Sequence, residues 1–129
     1  MIFVTTTYHF TLTTLLGTNT GTGIIKGQEL IANHGRPGVP HVMVVLSDGN
    51  HNKGPEPGTE SQKARNSGTK TIAVGIGNRI NGDEILAIAG DNTNVLAAKD
   101  FDELQQFVEK LAVKICGMYA IFPISCLLI

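Results

Sequence analysis

The segment His41–Ser47 constrains the fold of this chain more than any other feature. It contains five successive apolar residues, three of them valine, without the alternating polar residues of a half-buried strand. Such a run is typical of a strand buried on both faces, as in the centre of a parallel sheet. Thr69–Ile76 has the same character and predicts a second buried strand. Because parallel neighbours need a long crossover connection, we expect helices between them.

The segments around these strands carry the apolar spacing and end signals of helices. Gly23–Asn33 predicts a short helix weakened by Gly27, and Asn94–Ala98 predicts a further short strand. The last helix is the clearest, because Asp100 and Glu103 form a capping-box-like pair before a single apolar stripe that reaches Ile115. Two more helices are predicted at about Thr59–Asn66 and Asp83–Ala89. This alternation predicts an α/β class, Rossmann-like and doubly wound, with a mainly parallel sheet and helices on both faces.

The length of 129 residues is that of one domain. We expect a divergent or remnant N-terminal segment at 1–16, the domain at 17–116 and an apolar C-terminal tail at 117–129. The tail is shorter than the roughly 20 residues that span a bilayer, so membrane association is not expected. The N-terminus lacks the basic region of a signal peptide.

The charge pattern bears on the class of partner. A net charge of −1 and a pI of about 6.4 provide no basic face, which argues against a nucleic-acid partner. Cys116 and Cys126 form neither a disulfide framework nor a zinc pattern.

Candidate binding residues lie where ligands bind to doubly wound sheets, beyond the carboxyl ends of the strands. Asp48 follows the first buried strand, which places a carboxylate at that edge of the sheet. An Asx turn or the start of a helix explains an aspartate at this position equally well. The hydroxyl-rich loop Gly17–Gly23 precedes a helix and is a second source of hard oxygen ligands, which suit Mg²⁺ or Mn²⁺.

Several segments, in order and spacing, resemble the von Willebrand factor A domain, and most closely the A domains of extracellular-matrix proteins such as matrilins and non-fibrillar collagens. The likeness spans about Thr18 to Cys116. It is carried by Gly17–Ile24, Arg36–Pro40, Val42–Gly49, Thr71–Asn78 and Val95–Leu104.

The resemblance implies a protein-binding adhesion module with a metal-ion-dependent adhesion site, and not an enzyme. Thr18 matches the family's second-loop threonine and Asp48 its third-loop aspartate. The family's first loop, Asp-x-Ser-x-Ser, has no match here, and no acidic residue precedes Glu29. We therefore expect weak Mg²⁺ or Mn²⁺ binding. The resemblance further implies an extracellular location and a partner that is a matrix or cell-surface protein.

The same comparison predicts that the family's first strand and first helix are missing, with Tyr8–Leu12 as a remnant edge strand. A truncated domain without a function of its own is therefore one alternative. A nucleotide-binding enzyme is another, suggested by Gly75 and Gly77 after a strand, although the third glycine position of that motif is Ile80. Asp48 and His51 form no evident catalytic arrangement, because no nucleophile accompanies them.

Overall fold

The structure is a computed structural model that describes residues 2–5, 19–100 and 102–103. The described elements, in chain order, are β1 (Ile2–Thr5), α1 (Thr20–His34), β2 (His41–Ser47), α2 (Pro57–Asn66), β3 (Thr69–Ile76), α3 (Gly82–Ala89), a 3₁₀ turn (Asn92–Asn94) and β4 (Val95–Ala98).

The strands form one sheet in the order β1-β2-β3-β4. β2, β3 and β4 are parallel, with Val45 paired to Ala73 and Ala73 to Val95. This confirms the predicted α/β class and the mainly parallel sheet. β1 runs antiparallel to β2 and was not predicted. The edge strand expected at Tyr8–Leu12 lies outside the described residues.

All three described helices pack on one face of the sheet. The core cluster on this face joins residues of α1, α2 and α3 to residues of β2 and β3, and its fully buried members are Ile24, Met43, Val45, Ala64, Ala73, Ile85, Ile88 and Ala89. Because alternate residues of a strand point to opposite faces, Met43 and Val45 serve this cluster while their neighbours in β2 face the other way. This packing thus fixes the N-termini of the helices relative to the carboxyl ends of β2 and β3.

The opposite face of the sheet is also buried. Its core cluster contains strand residues alone, namely Val42, Val44, Leu46, Ile72 and Val74. Helices on both faces were predicted, and within the described residues the helices occupy one face. The last predicted helix, from Asp100 to Ile115, lies outside the described residues except at its start.

The start of that helix is capped much as predicted. The Glu103 N–H donates to Asp100 Oδ1 at 2.8 Å, so Asp100 is the cap. The Glu103 carboxylate accepts from the Lys99 N–H at 2.5 Å, one residue before the position that a capping box uses. Of the described helices, none is long and apolar enough to cross a membrane.

Candidate functional site

The carboxyl end of β2 presents an exposed carboxylate on a buried support. Ser47 is buried, and its hydroxyl oxygen accepts the Gly49 N–H at 3.0 Å. Asp48 is exposed, and its Oδ1 accepts the Asn50 N–H at 3.1 Å. Asp48 therefore forms an Asx turn and also lies at the sheet edge, so the two interpretations of this residue are compatible. Its second carboxylate oxygen has no partner among the described residues.

The loop after β2 is tied to the start of α3. The Asn50 side-chain amide donates to the carbonyl oxygens of Asp48 at 3.2 Å and Arg79 at 3.1 Å. The His51 N–H donates to Glu84 Oε2 at 3.1 Å. Arg79 lies just before α3, and Glu84 lies in its first turn. These bonds therefore hold the Asp48 loop at a fixed place beside the start of that helix.

His51 and Glu84 each keep one buried polar atom without a partner. These atoms are His51 Nδ1 and Glu84 Oε1. The backbone N–H of His51 donates to Glu84, and the charge of the His51 side chain lowers the pKa of Glu56. The structure therefore brings His51 close to these two glutamates.

The N-terminus of α1 lies against the same loop. Asn19 caps α1, with its Oδ1 accepting the Thr22 N–H at 3.2 Å. A Cβ at Gly54 would overlap the Asn19 side chain, and a Cβ at Gly21 would overlap the Pro55 carbonyl oxygen. The two glycines thus allow the start of α1 and the loop after β2 to meet. Thr18 itself lies outside the described residues.

Glu56 begins α2 as its N-terminal cap. Its carboxylate accepts the N–H groups of Gly58 at 3.0 Å and Thr59 at 2.5 Å. Partial burial alone raises the pKa of this carboxyl. The hydrogen bonds from Thr59 and Gly58 and the charge of His51 outweigh burial and hold the pKa of Glu56 below its ordinary value. The cap is therefore ionised at neutral pH.

Replacing Glu56 with glutamine should lower the melting temperature at pH 7 more than at pH 2. A carboxyl with a depressed pKa stabilises the fold fully above its unfolded-state pKa, about 4.3, and loses this contribution as the pH falls through the lower folded-state value. Melting curves of both proteins across this range test the prediction. An equal difference at every pH would contradict it. The Glu29→Gln variant, which changes an exposed residue paired with Lys26, is the matched control.

The described residues supply little of a complete metal site. They contain no group of three or more His, Cys, Asp or Glu side chains that could hold an ion. The exposed carboxylate of Asp48 has the hard oxygen chemistry that Mg²⁺ and Mn²⁺ prefer. Of the two predicted metal-site residues, Asp48 alone lies within the described part of the chain.

Gly75 and Gly77, which suggested a nucleotide site, have structural explanations. A Cβ at Gly75 would lie 2.9 Å from Ile80 Cγ2, so this glycine makes room for an apolar side chain. Gly77 has φ +107°, and its N–H donates to the Ala98 carbonyl oxygen at 2.9 Å. Both features serve the packing of β3 against its neighbours.

Sequence reasoning singled out Asp48 but not Asn50 or Glu84. The bonds of Asn50 to Arg79 and of His51 to Glu84 join residues 29 and 33 positions apart, which no local pattern reveals. For Asn50, the sequence offers one signal: side chains with oxygen atoms stand at the alternate positions Asp48, Asn50 and Asn52.

The chain is similar to curated matrix proteins. It is 34% identical over 106 residues to matrilin-1 of Gallus gallus and 31% identical over 105 residues to matrilin-1 of Homo sapiens. Each comparison covers 78% of this chain and 21% of the relative. The chain thus spans about a fifth of the length of the curated relatives it matches.

A solved structure shares the fold. Proximal thread matrix protein 1 of the mussel byssus, with a zinc-occupied MIDAS motif, has 29% sequence identity and a TM-score of 0.56, over 67% of this chain and 22% of the mussel protein. The sequence model of the von Willebrand factor type A domain matches residues 11–110. The resemblance seen in the sequence is thereby confirmed, and the chain belongs to the von Willebrand factor type A domain family.

Proposed function

We propose that this chain is a protein-binding adhesion module, not an enzyme, and that it recognises an extracellular-matrix or cell-surface protein through the carboxyl edge of its sheet. The observation that carries the proposal is the exposed carboxylate of Asp48, which has one oxygen held by the Asn50 N–H. Family membership and the similarity to matrilin-1 and to a mussel thread matrix protein support this class of function and an extracellular location.

The proposed binding domain keeps the predicted bounds 17–116, with Thr18 and Asp48 as its metal-site residues. The contact between Asn19 and Gly54 supports this pairing, because it brings the residue after Thr18 to the loop that follows Asp48. The zinc-occupied MIDAS motif of the mussel protein supports a divalent cation at this edge. Since the first-loop aspartate and serines have no match, Mg²⁺ or Mn²⁺ binds weakly and contributes less to partner binding than the carboxylate itself.

Asp48→Ala should weaken partner binding by tenfold or more, because truncating one member of a charge pair that a contact buries costs about 2–5 kcal/mol, and about 1.4 kcal/mol is tenfold in affinity. Binding to immobilised matrix proteins, such as collagens, is measured by surface plasmon resonance in Mn²⁺ and in EDTA. EDTA should reduce the affinity less than the substitution does.

Glu29→Ala is the matched control, since Glu29 is an exposed carboxylate in the second half of α1, away from the helix start that meets the Asp48 loop. We expect this variant to bind within about twofold of the unchanged protein. If Asp48→Ala and Glu29→Ala bind the matrix protein equally well, the carboxyl edge of the sheet is not the recognition surface.

A further inference from the structure

Asn81 caps α3, and Gly82 is the first residue of that helix. Asn81 is the only asparagine in the sequence that a glycine follows. The side-chain amide carbon of an asparagine is an electrophile, and the backbone nitrogen of the next residue is a nucleophile close to it along the chain. Because glycine has no Cβ, an internal attack on the asparagine amide meets least hindrance in an Asn–Gly pair.

The fold leaves both reacting groups of this pair accessible. Asn81 and Gly82 are exposed, and a Cβ on Gly82 would have no atom within 4 Å. The first N–H groups of a helix have no partner within it, and the Gly82 N–H donates to no acceptor among the described residues. Asn81 Oδ1 accepts the Glu84 N–H at 3.4 Å. This distance exceeds the usual range of such bonds, so the cap restrains the amide only weakly.

Asn66 offers an internal comparison, because it is exposed as well. The backbone N–H of its neighbour Ser67 donates to two carbonyl oxygens of α2, each at 3.1 Å. Asn66 Oδ1 accepts from Gln62 Nε2 at 2.9 Å. Exposure is thus common to the two asparagines, and what distinguishes Asn81 is a nucleophile that is not engaged.

We propose that Asn81 is a site of spontaneous covalent modification, at which the side-chain amide becomes a carboxylate through a cyclic imide formed with Gly82. The Gly82 nitrogen bonds to Asn81 Cγ and loses its proton, while the bond from Cγ to the side-chain nitrogen breaks and ammonia leaves. Water then hydrolyses the imide. Cleavage at Cγ gives aspartate, whereas cleavage at the main-chain carbonyl carbon gives isoaspartate, in which the chain continues through the side chain. Water is the only co-reactant.

The two products should affect the edge of the sheet differently. Aspartate retains the capping oxygen and places a negative charge where the N-terminus of a helix favours it. Isoaspartate lengthens the main chain where it abuts the Asp48 loop, since a Cβ on Gly49 would lie 2.8 Å from the Asn81 carbonyl oxygen. We therefore expect isoaspartate, and not aspartate, to displace that loop. An effect of either product on partner binding rests on the proposed function, whereas the modification itself does not.

Incubation of the folded protein at neutral pH, followed by tryptic peptide mapping, measures the reaction. Asn66 and Asn81 lie in different tryptic peptides, because Lys70 and Arg79 stand between them. Exchange of NH₂ for OH raises the peptide mass, and fragmentation of the peptide locates the change. We expect Asn81 to react at least tenfold faster than Asn66, a difference of about 1.4 kcal/mol in the barrier.

Two variants isolate the chemistry of the pair. Gly82→Ala places a methyl group beside the nucleophile in open space, so the protein should fold normally while the conversion of Asn81 slows about tenfold. Asn81→Ser keeps a capping oxygen but has no amide, so its α3 peptide should show no mass change at this position. In aged ¹⁵N-labelled protein, a second backbone signal of Gly49 should grow in proportion to the isoaspartate content, which enzymatic methylation of isoaspartate measures.

Equal conversion of Asn66 and Asn81 in the folded protein, or no conversion of either, overturns the inference. An unchanged rate in Gly82→Ala also overturns it, because the Gly82 nitrogen is then not the nucleophile. A rate at Asn81 that rises more than tenfold in urea would mean that the fold protects the pair, which contradicts the proposed accessibility. All of these rates are measured on the protein alone, so they leave the proposed function, tested by partner binding of Asp48→Ala, undecided.

Discussion

Replacing Ile72 with alanine should lower the free energy of unfolding by about 2–5 kcal/mol, the cost of truncating a large buried aliphatic side chain. Ile72 has no exposed surface and lies in β3, opposite Val44 of β2. It belongs to the core cluster on the sheet face that holds no residue of the three described helices. A typical domain has only about 5–15 kcal/mol of stability, so this one change should remove a large share of it.

Urea unfolding followed by far-UV circular dichroism measures the effect, since the chain has no tryptophan. Leu86→Ala is the matched control, because Leu86 is a large aliphatic residue of α3 with 37% of its surface exposed. We expect the control to lose less than about 1 kcal/mol. Equal losses in the two variants would mean that the second sheet face does not contribute a packed core.

The strands could be predicted from the sequence more accurately than the helices. β2 and β3 have the bounds that the apolar runs predicted, because burial on both faces requires apolar residues up to the strand ends. α1 begins at Thr20, three residues before the predicted Gly23. Its first turn is rich in glycine and threonine, which disfavour helices. The cap by Asn19 and the packing of Gly21 against Pro55 override that preference.

The other departures have similar causes. α2 begins at Pro57, two residues before the predicted Thr59, because Glu56 caps it, and proline after a capping residue was an available signal. β1 precedes the residues 11–110 that match the family, and its pairing with β2 is a contact between distant segments. Arg65 shows the same limit, since its guanidinium donates to the Ile88 carbonyl oxygen at 2.6 Å and to the Thr71 hydroxyl at 3.0 Å. Such contacts depend on the assembled sheet and have no local pattern.

The candidate site was predictable only in part for the same reason. A carboxylate directly after a buried strand must lie at the sheet edge, so the position of Asp48 follows from the strand alone. The orientation of that carboxylate depends on Asn50, and the position of the loop depends on Arg79 and Glu84. The sequence therefore identifies the candidate carboxylate, and the packed loops determine the direction in which it points.

Replacing Gly49 with alanine should destabilise the protein and should also disturb Asp48. Gly49 has φ +71°, a left-handed conformation that costs other residues about 1–2 kcal/mol. A Cβ there would lie 2.8 Å from the Asn81 carbonyl oxygen and 2.9 Å from the Asn81 nitrogen. These are backbone atoms at the start of α3, which cannot rotate away as a side chain would. Overpacking adds about 1–3 kcal/mol.

Gly38→Ala separates the two contributions, because Gly38 has φ +75° but no atom within 4 Å of its Cβ position. Both variants carry the conformational cost, and only Gly49→Ala carries the clash. Urea unfolding should therefore show a larger loss for Gly49→Ala by about 1–3 kcal/mol. Relief of the clash requires the loop to move away from Asn81, so the Asn50 bond to Arg79 should break and the affinity for the matrix partner should fall with it. If the two variants are equally stable and Gly49→Ala binds the partner normally, the contact between this loop and α3 does not position Asp48.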